Sequence, residues 1–322
     1  VAWHQNGYVR YCWAGGLELV FLMLVYYDYT RDAGFVRDPL FPLARDILAF
    51  YEAHYPRDAA GRLRLEPAQA LETWWDCRNP MPEAAGLAAV LTRLLDLPAR
   101  VVPAAARARW ERLRRALPPL PTRVLDGRRL LAPAERFADK HNIENPELYA
   151  VFPFRLFGVG KPGLAMARAT LRARLHRMSN GWAQDDIQFA CLGLAEDARR
   201  CVLRRAALRY PQARFPGFWG PNFDWIPDQD HGANLMTALQ AMLLQTDGDC
   251  IRLFPAWPRT WNVAFQLHAP RGTTVRGEYR DGRLRRLSVR PAARRKDVAV
   301  LLPSARIRSK PPSPGSRPKG AA

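Results

Sequence analysis

Two short segments of the chain hold carboxylates among aromatic rings, and such groups can do chemistry. The segment 71–80, "LETWWDCRNP", places Glu72 just before two tryptophans, while 217–235, "GFWGPNFDWIPDQDHGANL", places Asp230 just before an apolar helix. An indole environment removes water from a carboxylate and favours its protonated form. A helix N-terminus favours the ionised form instead. General acid–base catalysis needs two groups tuned in opposite directions, so Glu72 is a candidate acid and Asp230 a candidate base.

Each of these groups also has a purely structural interpretation. Glu72 could be a solvated loop residue or the partner of an arginine, and Asp230 could serve only as a helix cap, which is a common use of aspartate. Trp219 and Trp225, which lie upstream of Asp230, could stack on sugar rings or fill the core. We predict that they form the wall of a pocket, with Asp230 at its floor capping a helix that begins at about His231.

Other catalytic chemistries have weaker support. The segment 158–163, "GVGKPG", matches the G-x-G-x-x-G pattern, which indicates a dinucleotide site only between a strand and a helix of a βαβ unit. The preceding residues include Pro153 and Arg155, and no parallel-strand pattern follows, so we interpret the segment as a turn that leads into a helix. The sequence has no G-x-S-x-G or H-E-x-x-H motif, and its six histidines are scattered. It therefore supports neither a serine nucleophile, nor a metal site, nor a cofactor.

Composition narrows the class of protein. The chain has 322 residues, 48% of them hydrophobic, and a net charge of +19, but only five of its 49 basic residues are lysine. The arginines are dispersed and do not alternate with aromatic residues as they do on single-strand binding surfaces, which argues against nucleic-acid binding. Five widely spaced cysteines predict buried free thiols. The most apolar run, 17–27, is too short to cross a membrane.

The helices and strands that position the two carboxylates can be predicted from the spacing of apolar residues along the chain. Apolar residues recur at helical spacing through the first two thirds of the chain. The predicted helices are 8–29, 38–55, 82–96, 104–116, 162–177, 181–194, 196–208 and 231–245. We interpret 58–80, 117–160 and 209–230 as long loops. After Gly248 the pattern alternates, which predicts short antiparallel strands and a hairpin at Asp281-Gly282.

These elements predict a mainly α fold with a β tail, in which helical hairpins precede a small antiparallel β-sandwich. We divide the chain into a helical domain at 1–247, a β-sandwich domain at 248–303 and a disordered, basic, proline-rich tail at 304–322.

The order of these elements and motifs resembles the six-hairpin glycosidases, and most of all glycoside hydrolase family 95, of the α-L-fucosidase and α-L-galactosidase type. The segment "QALETWW" at 69–75 lies where that family has a Ser-Pro-Glu-Asn element with its general-acid glutamate, which implies that role for Glu72. The segment "DHGANLMTALQAMLLQT" at 230–246 resembles the family's Asp-Gly-Asn-Phe-Gly and the helix that follows. This likeness implies that Asp230 activates water.

Further segments extend the resemblance over roughly residues 10–300. "ENPELYAVFPF" at 144–154 resembles a His-Leu-Tyr…Phe-Pro loop, and "GWAQDD" at 181–186 resembles a Gly-Trp-Ser helix start. The substrate-binding residues that we expect from these segments and from the aromatic stretches are Trp75, Glu147, Tyr149, Trp182, Trp219, Trp225 and His231.

The departures from the family pattern limit what the resemblance implies. Ala70-Leu71 replaces the Ser-Pro before the glutamate, and Asp230-His231-Gly232 replaces Asp-Gly-Asn, so fucose specificity does not transfer. The family's N-terminal β-sandwich and the asparagine pair that orients its catalytic water have no counterpart here. The resemblance therefore implies the C-terminal part of a larger periplasmic or secreted protein.

The resemblance implies an incomplete (α/α)6 toroid whose substrate is a carbohydrate. It implies no cofactor, no nucleic-acid partner and no association with a membrane. Inverting hydrolysis would have Glu72 protonate the leaving oxygen while Asp230 activates water, with the two carboxyl groups roughly 6.5–9.5 Å apart. Two alternatives stay open at this point. One is a non-catalytic carbohydrate-binding remnant, and the other is a polysaccharide lyase that uses Tyr149 or His231 as its base.

Overall fold

The computed structural model describes residues 6–209, 211 and 229–302. Helices dominate as far as residue 243, close to the predicted positions. The helices are α1 (Ala14–Thr30), α2 (Ala33–Phe35), α3 (Phe41–His54), α4 (Met81–Leu95), α5 (Ala104–Arg115), α6 (Leu164–Ala173), α7 (Asp185–Cys191), α8 (Ala195–Ala207) and α9 (Asp230–Leu243). Shorter helical turns lie at Gly7–Val9, Val36–Leu40, Pro146–Ala150 and Ala292–Asp297. The largest differences from the predicted bounds are the late start of α1 and the shortness of α7.

Helices α1 and α4 pack together at the centre of the helical part. The buried side of α1 carries Leu17, Phe21 and Leu24, and α4 is buried along most of its length. A Cβ at Gly86 of α4 would lie 2.8 Å from the Phe154 ring and 2.9 Å from Leu17 Cδ1. Glycine at this position therefore allows the close approach of the two helices.

Two of the segments that we predicted as loops contain strands. In the first, β1 (Ala68–Ala70) and β2 (Trp74–Pro80) pair antiparallel around Glu72, and β2 also pairs with β5 (Ala134–Arg136) and β6 (Asp139–Lys140). In the second, β3 (Thr122–Leu125) and β4 (Arg128–Leu131) form a hairpin. These strands are short and lack regular alternation, so periodicity missed them.

One missed strand pair had a recognisable sequence signal. Asp126 and Gly127 connect β3 to β4 with φ values of +49° and +70°. Asp-Gly between two short runs is a common hairpin turn because both of its positions need positive φ.

The β tail contains β7 (Leu244–Asp247), β8 (Cys250–Leu253), β9 (Val263–Ala269), β10 (Thr273–Arg280), β11 (Arg283–Arg290) and β12 (Val298–Val300). Strands β9, β10 and β11 form an antiparallel sheet, and the predicted hairpin at Asp281-Gly282 joins β10 to β11. The second sheet is mixed, because β12 pairs parallel to β8 while β7 pairs antiparallel to it. The purely antiparallel expectation is therefore wrong for β12.

The larger hydrophobic cluster of the described residues joins the helical part to the β tail. Ile251, Phe254 and Tyr279 of the tail belong to the same buried cluster as Leu17 and Leu243 of the helices. The boundary that we predicted after residue 247 falls in the turn of the β7–β8 hairpin. Cys77 and Cys191 are buried thiols, whereas Cys12, Cys201 and Cys250 are partly exposed. Within the described ranges, no helix is long and apolar enough to cross a membrane.

Candidate functional site

Glu72 lies in the tight turn between β1 and β2, where Leu71 has a φ of +54°. Its side chain is half-buried. Asn142 Nδ2 donates a hydrogen bond of 2.9 Å to Glu72 Oε2, and Trp75 Nε1 donates one of 3.0 Å to the Glu72 carbonyl. The described residues supply no hydrogen bond to Glu72 Oε1. The carboxyl group is thus held at one oxygen, and the other stays available.

Glu144 is a second carboxyl group at the same turn, and our sequence analysis did not single it out. Its Oε2 accepts hydrogen bonds from the backbone N–H of Glu72 at 2.9 Å and from Thr73 Oγ1 at 3.0 Å. Burial raises the pKa of Glu144 to about 7, and the nearby charge of Glu72 adds to that rise, while the Thr73 hydrogen bond opposes it. The Glu144 carboxyl group at this turn therefore keeps its proton up to about neutral pH.

Trp75 is packed against protein groups rather than against the cavity beside Glu144. Its ring stacks on His141 with centroids 3.5 Å apart and planes 15° apart, and it meets Tyr8 edge-on at 5.3 Å. His141 Nε2 in turn lies 2.8 Å from Asp139 Oδ2. The expected contact of Trp75 with substrate stays a prediction, and its evident role here is to brace the Glu72 turn.

A cavity of about 40 Å³ opens beside Glu144. Tyr149 and Trp182, two of the predicted binding residues, are among its lining residues, as are His176 and Gln188. Glu147 is not among them. It is buried in the turn Pro146–Ala150, where burial raises its pKa to about 7 and nearby arginine charge opposes that rise. The structure thus brings Glu72, Glu144, Tyr149 and Trp182 into one region.

Two buried ion pairs hold the segment that carries Trp182. Arg174 donates to Asp185 Oδ2 through Nε at 3.0 Å and through Nη2 at 2.5 Å. Fully buried Arg205 donates to Asp186 Oδ2 at 2.7 Å and to the Gly181 carbonyl at 2.8 Å. Arg205 also donates to the carbonyl of Ala183, so it holds the backbone on both sides of Trp182, while Arg174 holds Asp185 further along the same segment.

His231 contacts Arg205, the arginine of the second ion pair. Its side chain is 2% exposed, and its Nε2 lies 2.9 Å from the Arg205 carbonyl oxygen. We expected His231 to contact substrate, but its contacts in the structure are with the core around Arg205. Contact between His231 and substrate stays a prediction, and the pattern favours a role in anchoring the start of α9.

Helix α9 begins at Asp230 itself, and Gln229 occupies the N-cap position. The predicted helix start at about His231 is confirmed, but Gln229 and not Asp230 is the N-cap residue, so the prediction that Asp230 caps the helix is wrong. Asp230 is exposed and lies in the first helical turn, where the helix dipole favours a negative charge. One turn further on, Asn234 Nδ2 donates to the carbonyls of Gly181 and Ala183 at 3.3 Å. The first turns of α9 thus pack against the Trp182 segment.

These contacts form a continuous chain from one candidate carboxylate to the element that bears the other. Glu72 contacts Glu144, Glu144 and Trp182 line one cavity, and the Trp182 segment contacts α9. The spacing between the Glu72 and Asp230 carboxyl groups stays a prediction. Trp219 and Trp225 lie outside the described residues, and so does their predicted pocket wall.

Comparisons with known proteins connect this arrangement to a fold. No protein family model matches the chain, and no curated protein matches it. A solved structure described as "Putative kojibiose phosphorylase from human microbiome" is similar, with a TM-score of 0.51 at 9% identity. The match covers 82% of this chain but only 44% of that protein. At this identity the likeness shows the fold alone, so the chain shares the fold of the matched part of that structure.

Proposed function

We propose that this chain carries the acid–base residues of a carbohydrate-active enzyme that hydrolyses a glycosidic bond with inversion, most like glycoside hydrolase family 95. The observation that carries the proposal is the turn at Glu72. There a half-buried carboxyl group is oriented by Asn142 and lies beside Glu144, and Glu144 lines a cavity together with Tyr149 and Trp182. Glu72 itself does not line that cavity, whose volume of about 40 Å³ has room for about one water, so a sugar would lie outside it. The likeness to a structure described as a kojibiose phosphorylase supports a sugar as the substrate class.

In this proposal Glu72 is the general acid. Glu144 Oε2 accepts hydrogen bonds from a backbone N–H and a hydroxyl of the turn, and Glu72 Oε2 accepts one from Asn142. The Oε1 atom of each carboxyl group has no hydrogen bond from the described residues, so the choice of Glu72 as the proton donor to the leaving glycosidic oxygen comes from the resemblance. Glu144 positions the turn and holds a proton close by.

Asp230 would take a proton from the attacking water on the opposite face of the sugar. Its place in the first turn of α9 favours the ionised form, as a base requires. Inverting enzymes keep their two carboxyl groups roughly 6.5–9.5 Å apart so that a water fits between them. Tyr149 and Trp182 would contact the sugar ring, since aromatic faces pack well against its C–H groups.

The first experiment compares Glu72→Gln and Asp230→Asn with the parent protein on a panel of aryl glycosides and oligosaccharides. Each substitution removes a proton-transfer group while keeping its size, so we expect each to lower kcat by about 10²–10⁴-fold. Glu111→Gln on α5 is the matched control and should leave turnover unchanged. Tryptophan fluorescence during sugar titration supplies a readout that does not need turnover.

The outcomes separate the proposal from its alternatives. Sugar binding without any turnover would indicate a carbohydrate-binding remnant, and an ultraviolet-absorbing unsaturated product would indicate a lyase. Turnover that is unchanged in both variants would show that these carboxylates are not the catalytic pair.

Phosphorolysis is the second candidate, because the similar structure is described as a phosphorylase. In that reaction phosphate attacks the sugar in place of water, so no base is needed to deprotonate the nucleophile, while Glu72 still protonates the leaving oxygen. Cleavage that requires added phosphate, survives Asp230→Asn and yields a sugar phosphate would favour phosphorolysis over hydrolysis.

A further inference from the structure

A second and larger cavity lies between the helical part and the β tail. Its volume is about 410 Å³, and its walls come from residues 155–161, the C-terminal half of α9, the β7–β8 hairpin and β9. Helix α7 separates it from the Glu72 region, since Trp182 precedes that helix and Cys191 at its end lines the second cavity. The seven residues of α7 span roughly 10 Å, so the two cavities are distinct.

The lining of this cavity carries excess positive charge. Arg155, Lys161 and Arg252 all line it, and Asp247 is the one carboxylate among its described lining residues. Lys161 Nζ lies 3.1 Å from Asp247, and Arg252 Nη1 lies 3.8 Å from the same side chain. A single carboxylate cannot neutralise three cations. Because the Arg252 side chain is only 14% exposed, its charge is poorly hydrated and favours an anionic partner.

Arg155 is the cation without a carboxylate partner among the described residues. Its backbone has a φ of +53°, a left-handed conformation that costs a non-glycine residue roughly 1–2 kcal/mol. Burial raises the pKa of both Tyr29 and Cys191, and in each case the charge of Arg155 opposes that rise. Tyr29, Cys191 and Arg155 all line the cavity, so the charge of Arg155 acts at its wall.

The glycine-rich loop at 158–161 explains how Arg252 comes to lie beside Lys161. Gly160 has a φ of +80°, and a Cβ there would lie 2.8 Å from the Arg252 Cζ atom. Only glycine lets the guanidinium rest against this loop. The Gly-Val-Gly-Lys segment therefore gathers cations around one cavity, although it has no strand–helix context for a dinucleotide.

We propose that this cavity binds an acidic saccharide, a sugar that carries a carboxylate or a phosphate group. Arg155, Lys161 and Arg252 would hold the anionic group, since arginine binds both oxyanions with paired hydrogen bonds. The rings of Tyr29 and Phe157 and the side chains of Thr237, Gln240 and Gln245 give the cavity the mixture of flat apolar and neutral polar groups that suits a sugar. The volume also exceeds what a bare anion needs, since pockets for small organic ligands start at about 300 Å³.

The test is isothermal titration calorimetry at low ionic strength with glucuronate and glucose 6-phosphate as probes, and with glucose and inorganic phosphate for comparison. We expect at least one acidic sugar to bind and glucose not to bind, with phosphate weaker than glucose 6-phosphate. Arg155→Gln should weaken the acidic sugar at least tenfold. This variant should fold, because Arg155 is exposed and forms no ion pair with the described residues.

Arg283→Gln on β11 removes the same charge from an exposed position away from the cavity and is the matched control. Equal binding by the Arg155 and Arg283 variants, or no binding of either acidic sugar, would overturn the proposal. If inorganic phosphate binds as tightly as glucose 6-phosphate, the cavity recognises the anionic group alone, and the claim that it recognises a sugar is overturned. Binding should persist in Glu72→Gln, so the result is independent of the proposed catalytic role, and its loss in that variant would place the ligand at the other cavity.

Discussion

At the scale of single residues, the candidate site depends on how one turn organises two carboxyl groups. Glu144 accepts hydrogen bonds from the Glu72 backbone and from Thr73, so it fixes the turn that carries Glu72. Asn142 then fixes the Glu72 carboxyl group itself. In the proposed arrangement Glu144 is a positioning residue, because its Oε2 atom holds both the backbone N–H and the Thr73 hydroxyl of the turn.

This role of Glu144 predicts a particular pH dependence. Its pKa of about 7 means that Glu144 loses its proton as the pH rises past neutrality, which places a negative charge beside the Glu72 side chain. We expect sugar binding or turnover to fall above about pH 7, and Glu144→Gln to remove that alkaline limb while keeping the hydrogen bond from Glu72 through its amide oxygen. The measurement is kcat/KM or affinity against pH. An unchanged alkaline limb in the variant would assign the titration to another group.

At the scale of elements, the close packing of α1 on α4 sets the frame for the Glu72 turn, since β2 leads directly into α4. Gly86 makes this packing possible because neighbouring side chains occupy the space of a Cβ. The packing of α1 on α4, which supports the Glu72 turn, is therefore sensitive to a single methyl group at residue 86.

Gly86→Ala should lower the free energy of unfolding by about 1–3 kcal/mol, because Phe154 and Leu17 must move to admit the new methyl group. Gly15→Ala in α1 is the matched control, since apart from its chain neighbours and the backbone of its own helix no described atom lies within 4 Å of the added Cβ. Its stability should be unchanged or higher by up to about 1 kcal/mol, as alanine favours helix. Urea denaturation of the two variants measures the difference, and equal effects would mean that the α1–α4 contact adapts.

At the scale of the whole molecule, buried carboxyl groups make stability depend on pH. Glu83 is fully buried, accepts a 3.3 Å hydrogen bond from the Trp13 backbone at Oε1, and has no partner for Oε2 among the described residues. Burial raises its pKa from 4.5 to about 8, with its backbone hydrogen bonds opposing that rise. Glu144 and Glu147, each with a pKa of about 7, act in the same direction.

Between about pH 4.5 and about pH 8 the folded chain keeps the Glu83 proton while the unfolded chain has lost it, so the free energy of unfolding falls as the pH rises. Each buried carboxyl group contributes up to about 1.4 kcal/mol per pH unit to this slope. Glu83→Gln should reduce the slope of stability against pH, measured by denaturation across that range. Glu111→Gln should leave it intact, and equal slopes in all three proteins would contradict the buried, protonated state of Glu83.

Much of the helical framework could be predicted from the sequence, because amphipathic periodicity is a local property of the chain. Helices α3, α4, α5 and α8 lie within a few residues of their predicted bounds. The strands around Glu72 could not be predicted in this way, since β1, β5 and β6 have two or three residues each and, among the described strands, pair with β2 alone.

Local patterns in the chain were enough to predict most of the helices, the β9–β11 meander, and Glu72 and Asp230 as carboxylates next to aromatic segments. Three features came from the folded chain: Glu144 lies at the Glu72 turn, His231 is buried against Arg205, and one cavity is lined by Arg155, Lys161 and Arg252. The physical reason is separation along the chain. Glu72 and Glu144 are 72 residues apart, so their contact depends on how the intervening helices and strands pack, and no local pattern encodes that.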